Sequence, residues 1–490
     1  MVQQADQAQV RTVRGDTPGA GGAALSAAVC LFMLLFVWGC DNAPPAPFDL
    51  PIYFTCDTHG RLAPCGCFTG QFGGLTRLKT VLDAEAPTNS VRVDVGDAIG
   101  GPQDFDLIEY DYLLRAYASM KFDALNLGHR EAALSAARLR ELKTKSPVPL
   151  LSANLLDKAT GAPIFEGWRM VQRGACRIAI VGVVDPRGLH DTLGEGLVVE
   201  KMESALSRLL PQVRRQADVV ILLAFTDEAT LAKLAQEFYE LDVILGGKVS
   251  QPAQKLEKEN RSLISFVTNE SRALGWLRLR IGHRAPVEVL GHEIRLLHDK
   301  IPQDKSVQAL VRAYREQIRA TRLRVDAPER LQEDMVPGVR TVATFVGTEA
   351  CLECHRSAAQ VWQKSSHARA FRTLLENQAD ADPKCIGCHT IGFASPSGYR
   401  RQFTGSKLAE VGCESCHGPG SVHVRQHRGE AGVSFTFRPL GAGDCQKCHH
   451  GEFSRPFDWD QFWPLVRHTK EPKATAVTSP QRAPTGRPGN

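Results

Sequence analysis

Residues 351–355 read CLECH, and the same spacing returns as CIGCH at 385–389, CESCH at 413–417 and CQKCH at 445–449. A C-x-x-C-H pentad is the attachment signature of a c-type haem, in which two cysteines bond the vinyl groups and the adjacent histidine supplies an axial nitrogen to the iron. A zinc-ribbon array would pair its cysteine knuckles without a histidine at the same offset every time. The repeat therefore predicts four haem c groups, attached through Cys351, Cys354, Cys385, Cys388, Cys413, Cys416, Cys445 and Cys448, with His355, His389, His417 and His449 as proximal ligands.

Haem attachment uses eight of the 14 cysteines and leaves Cys30, Cys40, Cys56, Cys65, Cys67 and Cys176. Because covalent attachment is completed outside the cytoplasm, an export signal is expected. Arg11 and Arg14 precede an apolar run from Ala23 to Trp38, followed by Gly39-Cys40 and a proline-rich DNAPPAPFD, which reads as a signal peptide over 1–40. The tetrapeptide Val37-Trp38-Gly39-Cys40 resembles a lipoprotein cleavage box and implies diacylation of Cys40, which would tether the protein to a membrane without spanning it. Trp38 departs from the small residue usual there, so plain secretion and a retained amino-terminal anchor stay open. The expected location is the periplasm or outer surface.

At 490 residues and 43% hydrophobic content, the chain has material for two or three cores. Its formal charge of +5 is modest, and no basic block is interleaved with aromatics, so no nucleic-acid groove is expected. Upstream of the pentads, VRVDVGD (91–97), RIAIVGVVD (177–185), DVVILLAF (218–225) and LDVILGG (241–247) read as buried strands. Segments around 105–120, 130–143, 200–217 and 228–240 read as amphipathic helices. Several strands end in polar groups, where open α/β folds place their sites.

FTCDTHGRL at 54–62, GGLTRLKTVL at 73–82, VDVGDAIGG at 93–101 and FDALNLGHRE at 122–131 resemble successive blocks of the metallophosphatase domain of the 5′-nucleotidase family. The resemblance implies an α/β, four-layer sandwich over 46–300 and a metal site on Asp57, His59 and Asp97. In that family two divalent cations activate water against a phosphate ester, and a shared carboxylate holds them together. This chain departs from the pattern. Gly128-His129-Arg130-Glu131 stands where the family has Gly-Asn-His-Glu, placing His129 on a metal ligand and Arg130 on the catalytic histidine. Phe225, Lys248 and Ser250 replace three further ligand positions. The expectation is a degenerate hydrolase site, holding one divalent metal on Asp57, His59, Asp97 and His129 or none, with the same residues then serving as turn caps. Cys56, Cys65 and Cys67 read as a disulfide within the exported fold or a metal site, and Cys176 as an interior apolar residue.

Residues 301–341 read as a helical linker whose Val307, Leu310, Val311 and Tyr314 form an apolar stripe. Residues 471–490 read as a disordered tail. The stretch from 342 to 470 resembles the cytochrome c554 family, through FVGTEACLECHRSAAQVWQKSSHARAF, KCIGCHTIGF, VGCESCHGPGSVHV and CQKCHH. The resemblance implies a mainly helical and irregular tetrahaem cytochrome c domain in which the haems form much of the core. It also implies distal ligands at His367 and His423, with His427, His450 and His468 competing for the remainder, and one five-coordinate haem, here expected at CIGCH. The function expected is extracytoplasmic electron transfer between redox donor and acceptor proteins. Two alternatives stay open: a haem oxidoreductase acting on a small nitrogen or sulfur compound, and a metal-dependent phosphoesterase.

Overall fold

The computed structural model describes residues 47–64, 72–268, 271–282, 287–321, 343–400, 406–430, 435–450 and 457–468. The expected signal segment with Cys30 and Cys40, the cysteines Cys65 and Cys67, most of the linker after residue 321 and the tail lie outside the described residues. Among the described residues, no helix is long and apolar enough to cross a membrane.

The strands are β1 (Phe48–Thr55), β2 (Val91–Asp94), β3 (Ala124–Asn126), β4 (Leu150–Leu151), β5 (Leu155–Asp157), β6 (Trp168–Arg173), β7 (Cys176–Val184), β8 (Leu197–Val199), β9 (Val219–Phe225), β10 (Val243–Gly247), β11 (Glu257–Glu259), β12 (Ser262–Phe266), β13 (Ala273–Ile281) and β14 (Glu288–Leu296). Two six-stranded sheets result, ordered β14-β13-β1-β2-β3-β4 and β11-β12-β10-β9-β7-β6, with β5 and β8 forming a small ribbon. β1 to β4 run parallel, as do β7, β9, β10 and β12, and antiparallel strands close the edges.

Strand alternation explains the layering. Along β7 and β9, Ile178, Ile180, Val219, Ile221 and Leu223 join the first sheet in one core. Their neighbours Ala179, Val181, Val220 and Leu222 turn the other way, onto the helices Met202–Gln216 and Glu228–Glu237. A strand with both faces covered must be apolar at every position, which is why these segments read as unbroken hydrophobic runs. The helices Leu75–Glu85, Asp104–Ser119 and Lys305–Ala320 contribute to the core of the first sheet. The order helix, sheet, sheet, helix is the four-layer α/β sandwich expected. One expected helix, 130–143, is divided into His129–Ala132 and Ala136–Lys145, with Ser135 capping the second by accepting from Arg138 N.

The carboxyl-terminal region is built differently. Among the described residues its helices are short, and small apolar clusters form around Leu374, Ala379 and Ile386 and around Ile391, Tyr399 and Leu408. It docks on Lys305–Ala320, which turns Val307, Val311, Tyr314 and Ile318 inward. Tyr314 Oη donates to Asp382 at 3.1 Å, and Arg315 and Arg319 bind Asn377 O and Asp380 Oδ1 at 2.7 and 2.6 Å. Lys384 reaches Glu109 and Asp106 on the helix Asp104–Ser119. Burial, opposed by Lys384, pushes Glu109 up to about 8. For Lys384 itself the penalty of burial is outweighed by these carboxylates, which hold the amine protonated.

Candidate metal and haem sites

The first candidate site lies past the carboxyl ends of the parallel strands β1 and β2. The two turns that follow are stitched together by Asp57 N to Gly96 O (3.0 Å), His59 N to Asp97 O (3.1 Å) and Gly60 N to Ala98 O (2.8 Å). Asp57, His59 and Asp97 all adopt left-handed backbone conformations, with φ of 52°, 50° and 55°. Such strain in residues other than glycine persists where surrounding structure over-determines it, and it gathers at functional sites. Here it turns three ligand-type side chains onto one point. His59 Nε2 lies 3.7 Å from Asp57 Oδ1 and 3.8 Å from Asp97 Oδ2, and the three groups offer ligand atoms within 4.8 Å of one another.

Donor chemistry fits a divalent cation. Both ring nitrogens of His59 are buried without a hydrogen-bond partner, and a buried polar group left unsatisfied requires a physical account. Two carboxylates and an imidazole suit zinc, manganese or iron. Burial, reinforced by Asp97 and opposed by a 2.6 Å hydrogen bond from Thr268, raises the Asp57 carboxyl to about 6. Behind the trio, buried Glu131 accepts from Asp97 N, Ile99 N and Gly128 N at 3.1, 2.8 and 2.8 Å. Burial also pushes Glu131 up to about 8.

His129 is placed apart from this trio. Its Nε2 lies 2.8 Å from Asp185 O and its ring packs edge-on against Phe225. Burial, with Lys248 adding to it, lowers its proton affinity. Arg130 donates its backbone N–H to Asp97 Oδ1 at 2.8 Å and its guanidinium to Gly100 O. Lys248, also left-handed with φ 59°, donates to Arg187 O at 2.9 Å and lies 3.6 Å from Asp185 Oδ2. The cationic Lys248 and the apolar ring of Phe225 thus neighbour His129. Nearby, buried Cys56 donates its thiol to Gly96 O at 3.4 Å, and Cys176 is buried in the core.

The haem motifs sit on single helical turns, including Pro383–His389 and Cys413–His417. One turn brings positions i, i+3 and i+4 to the same face, so a C-x-x-C-H pentad presents both thiols and the imidazole together. The i+4 bonds His355 N to Cys351 O (3.0 Å) and His449 N to Cys445 O (2.8 Å) confirm the turn in two motifs.

Distant imidazoles come to meet three of the proximal ones. Ring centroids are 6.0 Å apart for His355 and His423, 6.0 Å for His367 and His449, and 5.9 Å for His417 and His468. Metal–imidazole bonds of about 2.0 Å, plus roughly 1.1 Å from nitrogen to ring centre, separate two trans imidazoles by about 6 Å. The centroid spacing of each pair matches that separation. Burial lowers the proton affinity of His367, His417 and His423, and neighbouring imidazoles lower it further, favouring the neutral form that ligates metal. His417 Nδ1 and His423 Nδ1 are buried without a hydrogen-bond partner. His389 donates Nδ1–H to Ala370 O at 2.6 Å, which leaves Nε2 as the ligand atom.

None of these three pairs, formed among the described residues, uses His427 or His450. The His427 ring lies 4.5 Å from that of His423, too close for a metal between them, and His450 is exposed. Glu414, within CESCH, accepts from Val346 N, Gly347 N and Gly420 N at 3.0, 2.7 and 2.7 Å. Glu131, Thr268, Glu414 and Lys384 are organising residues that motif reading passed over. For Glu131 a signal existed, since it closes the Gly-x-x-Glu block, whereas Thr268 and Lys384 are brought in only by tertiary structure.

Residues 350–418 match the family described as cytochrome c554 and c-prime. Cytochrome c-554 of Nitrosomonas europaea is 37% identical over 108 residues, 19% of this chain and 46% of that protein. A 5′-nucleotidase of Vibrio cholerae serotype O1 is 25% identical over 247 residues, 44% of this chain and 43% of that protein. The chain thus spans less than half the length of each. Among solved structures, a 5′-nucleotidase precursor from Thermus thermophilus superposes with a TM-score of 0.48 at 20% identity, over 64% of this chain and 68% of that one.

Proposed function

From a chain that joins a cytochrome c554-like region to a 5′-nucleotidase-like α/β domain, we propose a multihaem c-type cytochrome that transfers electrons outside the cytoplasm. The observation that carries this reading is the set of three imidazole pairs at 5.9–6.0 Å, each containing a motif histidine. Haem c, when attached, supplies a one-electron redox change, and two axial histidines favour electron transfer over ligand binding. The chain's own contribution is to hold neutral imidazoles in facing pairs and to set cysteine pairs on helical turns. Four haems is the stoichiometry proposed, with the eight motif cysteines as attachment points. Partners are a redox donor and an acceptor protein. Lipidation at Cys40 is proposed to hold the protein at a membrane surface.

The α/β domain is proposed to hold one divalent cation on Asp57, His59 and Asp97. Two-metal hydrolysis is disfavoured because Lys248 brings a positive charge beside His129, where a second cation would be repelled. The deciding experiment is haem quantification by the pyridine haemochrome method on the exported protein, with low-temperature electron paramagnetic resonance. Four haems with low-spin signals from three bis-imidazole irons are expected, together with no metal-dependent phosphate release from nucleotides. Fewer than three such signals would refute the cytochrome reading as stated, and sustained phosphate release would move the function to the α/β domain.

A further inference from the structure

The helix carrying CIGCH is not confined to the haem region. Lys384, directly before Cys385, extends its amine into the α/β domain, 2.5 Å from Glu109 Oε2 and 3.0 Å from Asp106 Oδ1. Both carboxylates are buried. Asp382 caps the same helix, accepting from Lys384 N at 3.0 Å and from buried Tyr314 Oη at 3.1 Å.

The far wall of this ion cluster is the metal trio's own loops. A Cβ at Gly60 would fall 2.1 Å from Glu109 Oε2 and 3.0 Å from Lys384 Nζ, and one at Gly100 would fall 2.1 Å from Lys384 Nζ and 2.8 Å from Asp106 Oδ1. Only glycine leaves room for the cluster at either place. Gly60 directly follows His59. Gly100 accepts from the guanidinium of Arg130, whose backbone N–H holds Asp97. Gly60, the chain neighbour of His59, thus faces the amine of Lys384, the chain neighbour of Cys385.

We propose that divalent-cation occupancy of the Asp57–His59–Asp97 trio and the redox state of the iron held by His389 are thermodynamically linked through the Glu109–Lys384–Asp106 cluster. The inference rests on the reading that the trio takes a cation and CIGCH a haem. Reduction places one electron on the iron and lowers its charge by one. A cation at the trio adds positive charge on the other side of a buried, poorly screened ion cluster, so it favours the reduced iron. Linkage is reciprocal, and reduction must tighten cation binding by the same factor.

The test uses the full-length protein with its haems attached. Redox titrations followed by visible spectroscopy are run in chelator and in saturating Mn²⁺, with Mn²⁺ binding measured independently by calorimetry in the oxidised and reduced protein. A tenfold tighter affinity in the reduced protein is expected, equivalent to a rise of about 59 mV in one of the four potentials. The other three potentials should stay in place. Lys384→Met should keep Mn²⁺ binding but change the size of the shift, because the cluster between the two sites loses its cation, whereas Lys384→Arg should keep the wild-type shift; an unchanged shift in Lys384→Met overturns the role of the cluster. If Lys384→Met does not fold, the wild-type titrations decide alone. Mn²⁺ binding with four unmoved potentials overturns the linkage and leaves the metal site standing. Four equal shifts also overturn it, because they report a general field. No Mn²⁺ binding in either state overturns both the linkage and the metal reading beneath it.

Discussion

Replacing His367 with alanine should convert one low-spin haem into one with an exchangeable axial position, whereas replacing His427 should leave all axial ligation unchanged. Both residues are histidines of the carboxyl-terminal region, and sequence alone nominates both. Geometry separates them. His367 lies 6.0 Å, centroid to centroid, from His449 of CQKCH, the spacing a metal ion between two rings requires, while His427 lies 4.5 Å from His423. His367 is also fixed at the backbone, its carbonyl accepting from Val411 N at 3.2 Å, and Trp362 in turn donates to Val411 O at 2.8 Å. Three imidazole pairs should thus fall to two, removing a third of the bis-imidazole signal in low-temperature electron paramagnetic resonance. Axial ligands move haem potentials across a span of about 0.8 V, so losing one imidazole should raise a single potential by on the order of 0.1 V. Added imidazole should restore the lost signal in His367→Ala. Retention of every low-spin signal in His367→Ala, or loss of one in His427→Ala, would refute the reasoning from ring spacing.

Asp97→Ala should abolish the bound non-haem metal detected by elemental analysis, while His129→Ala retains it, because His129 points to Asp185 O and not to the trio. Gly247→Ala places a Cβ 2.1 Å from Cys56 Sγ, so it should cost about 1–3 kcal/mol in denaturant unfolding; the double variant with Cys56→Ala should recover most of this. Glu414→Ala strands three backbone donors in a buried site and should cost about 3–5 kcal/mol in thermal unfolding of the haem-loaded protein. Burial alone would raise the Asp185 carboxyl, but hydrogen bonds from Arg187 and Thr226, with Lys248 nearby, outweigh it and hold it at about 2, below its ordinary 3.8. A depressed folded value stabilises the protein above the unfolded value and is lost as pH falls through the folded one. About 2 kcal/mol should therefore disappear between pH 4 and pH 2, and acid titrations of Asp185→Asn should lack that component.

The layered domain was legible because its strands carry the period of their surroundings. Ile178 to Val184 and Val219 to Phe225 are apolar at every position, as strands covered on both faces must be, and the structure places both at the centre of the second sheet. Asp57, His59 and Asp97 were nominated through the resemblance of their sequence blocks, and the structure brings the three side chains together from two separate turns. The split helix at 129–145 was not legible, because the break depends on the buried Glu131 carboxylate serving the Asp97 turn and on Ser135 starting a new cap. The facing imidazoles were legible only in part. His367 and His423 stand in recognisable blocks, but the selection of His468 over His427 and His450 as the ring facing His417 is a matter of where a terminal arm lies, and no local pattern encodes it.

Lys248 shares the left-handed backbone of the trio residues but carries an ammonium instead of a ligand. Gly247 before it packs so closely against Cys56 that the turn is locked to the strand leading into Asp57. Backbone strain of this kind is costly to maintain without a purpose, and the purpose of the Lys248 turn in this chain is a bond to Arg187 O and an ion pair with Asp185, both internal. The His59 ring stands 3.7 and 3.8 Å from the Asp57 and Asp97 carboxylates, and its nitrogens stay buried without a hydrogen bond. Of turns that share one left-handed geometry, one is therefore closed by a protein cation and the others gather three ligand-type side chains.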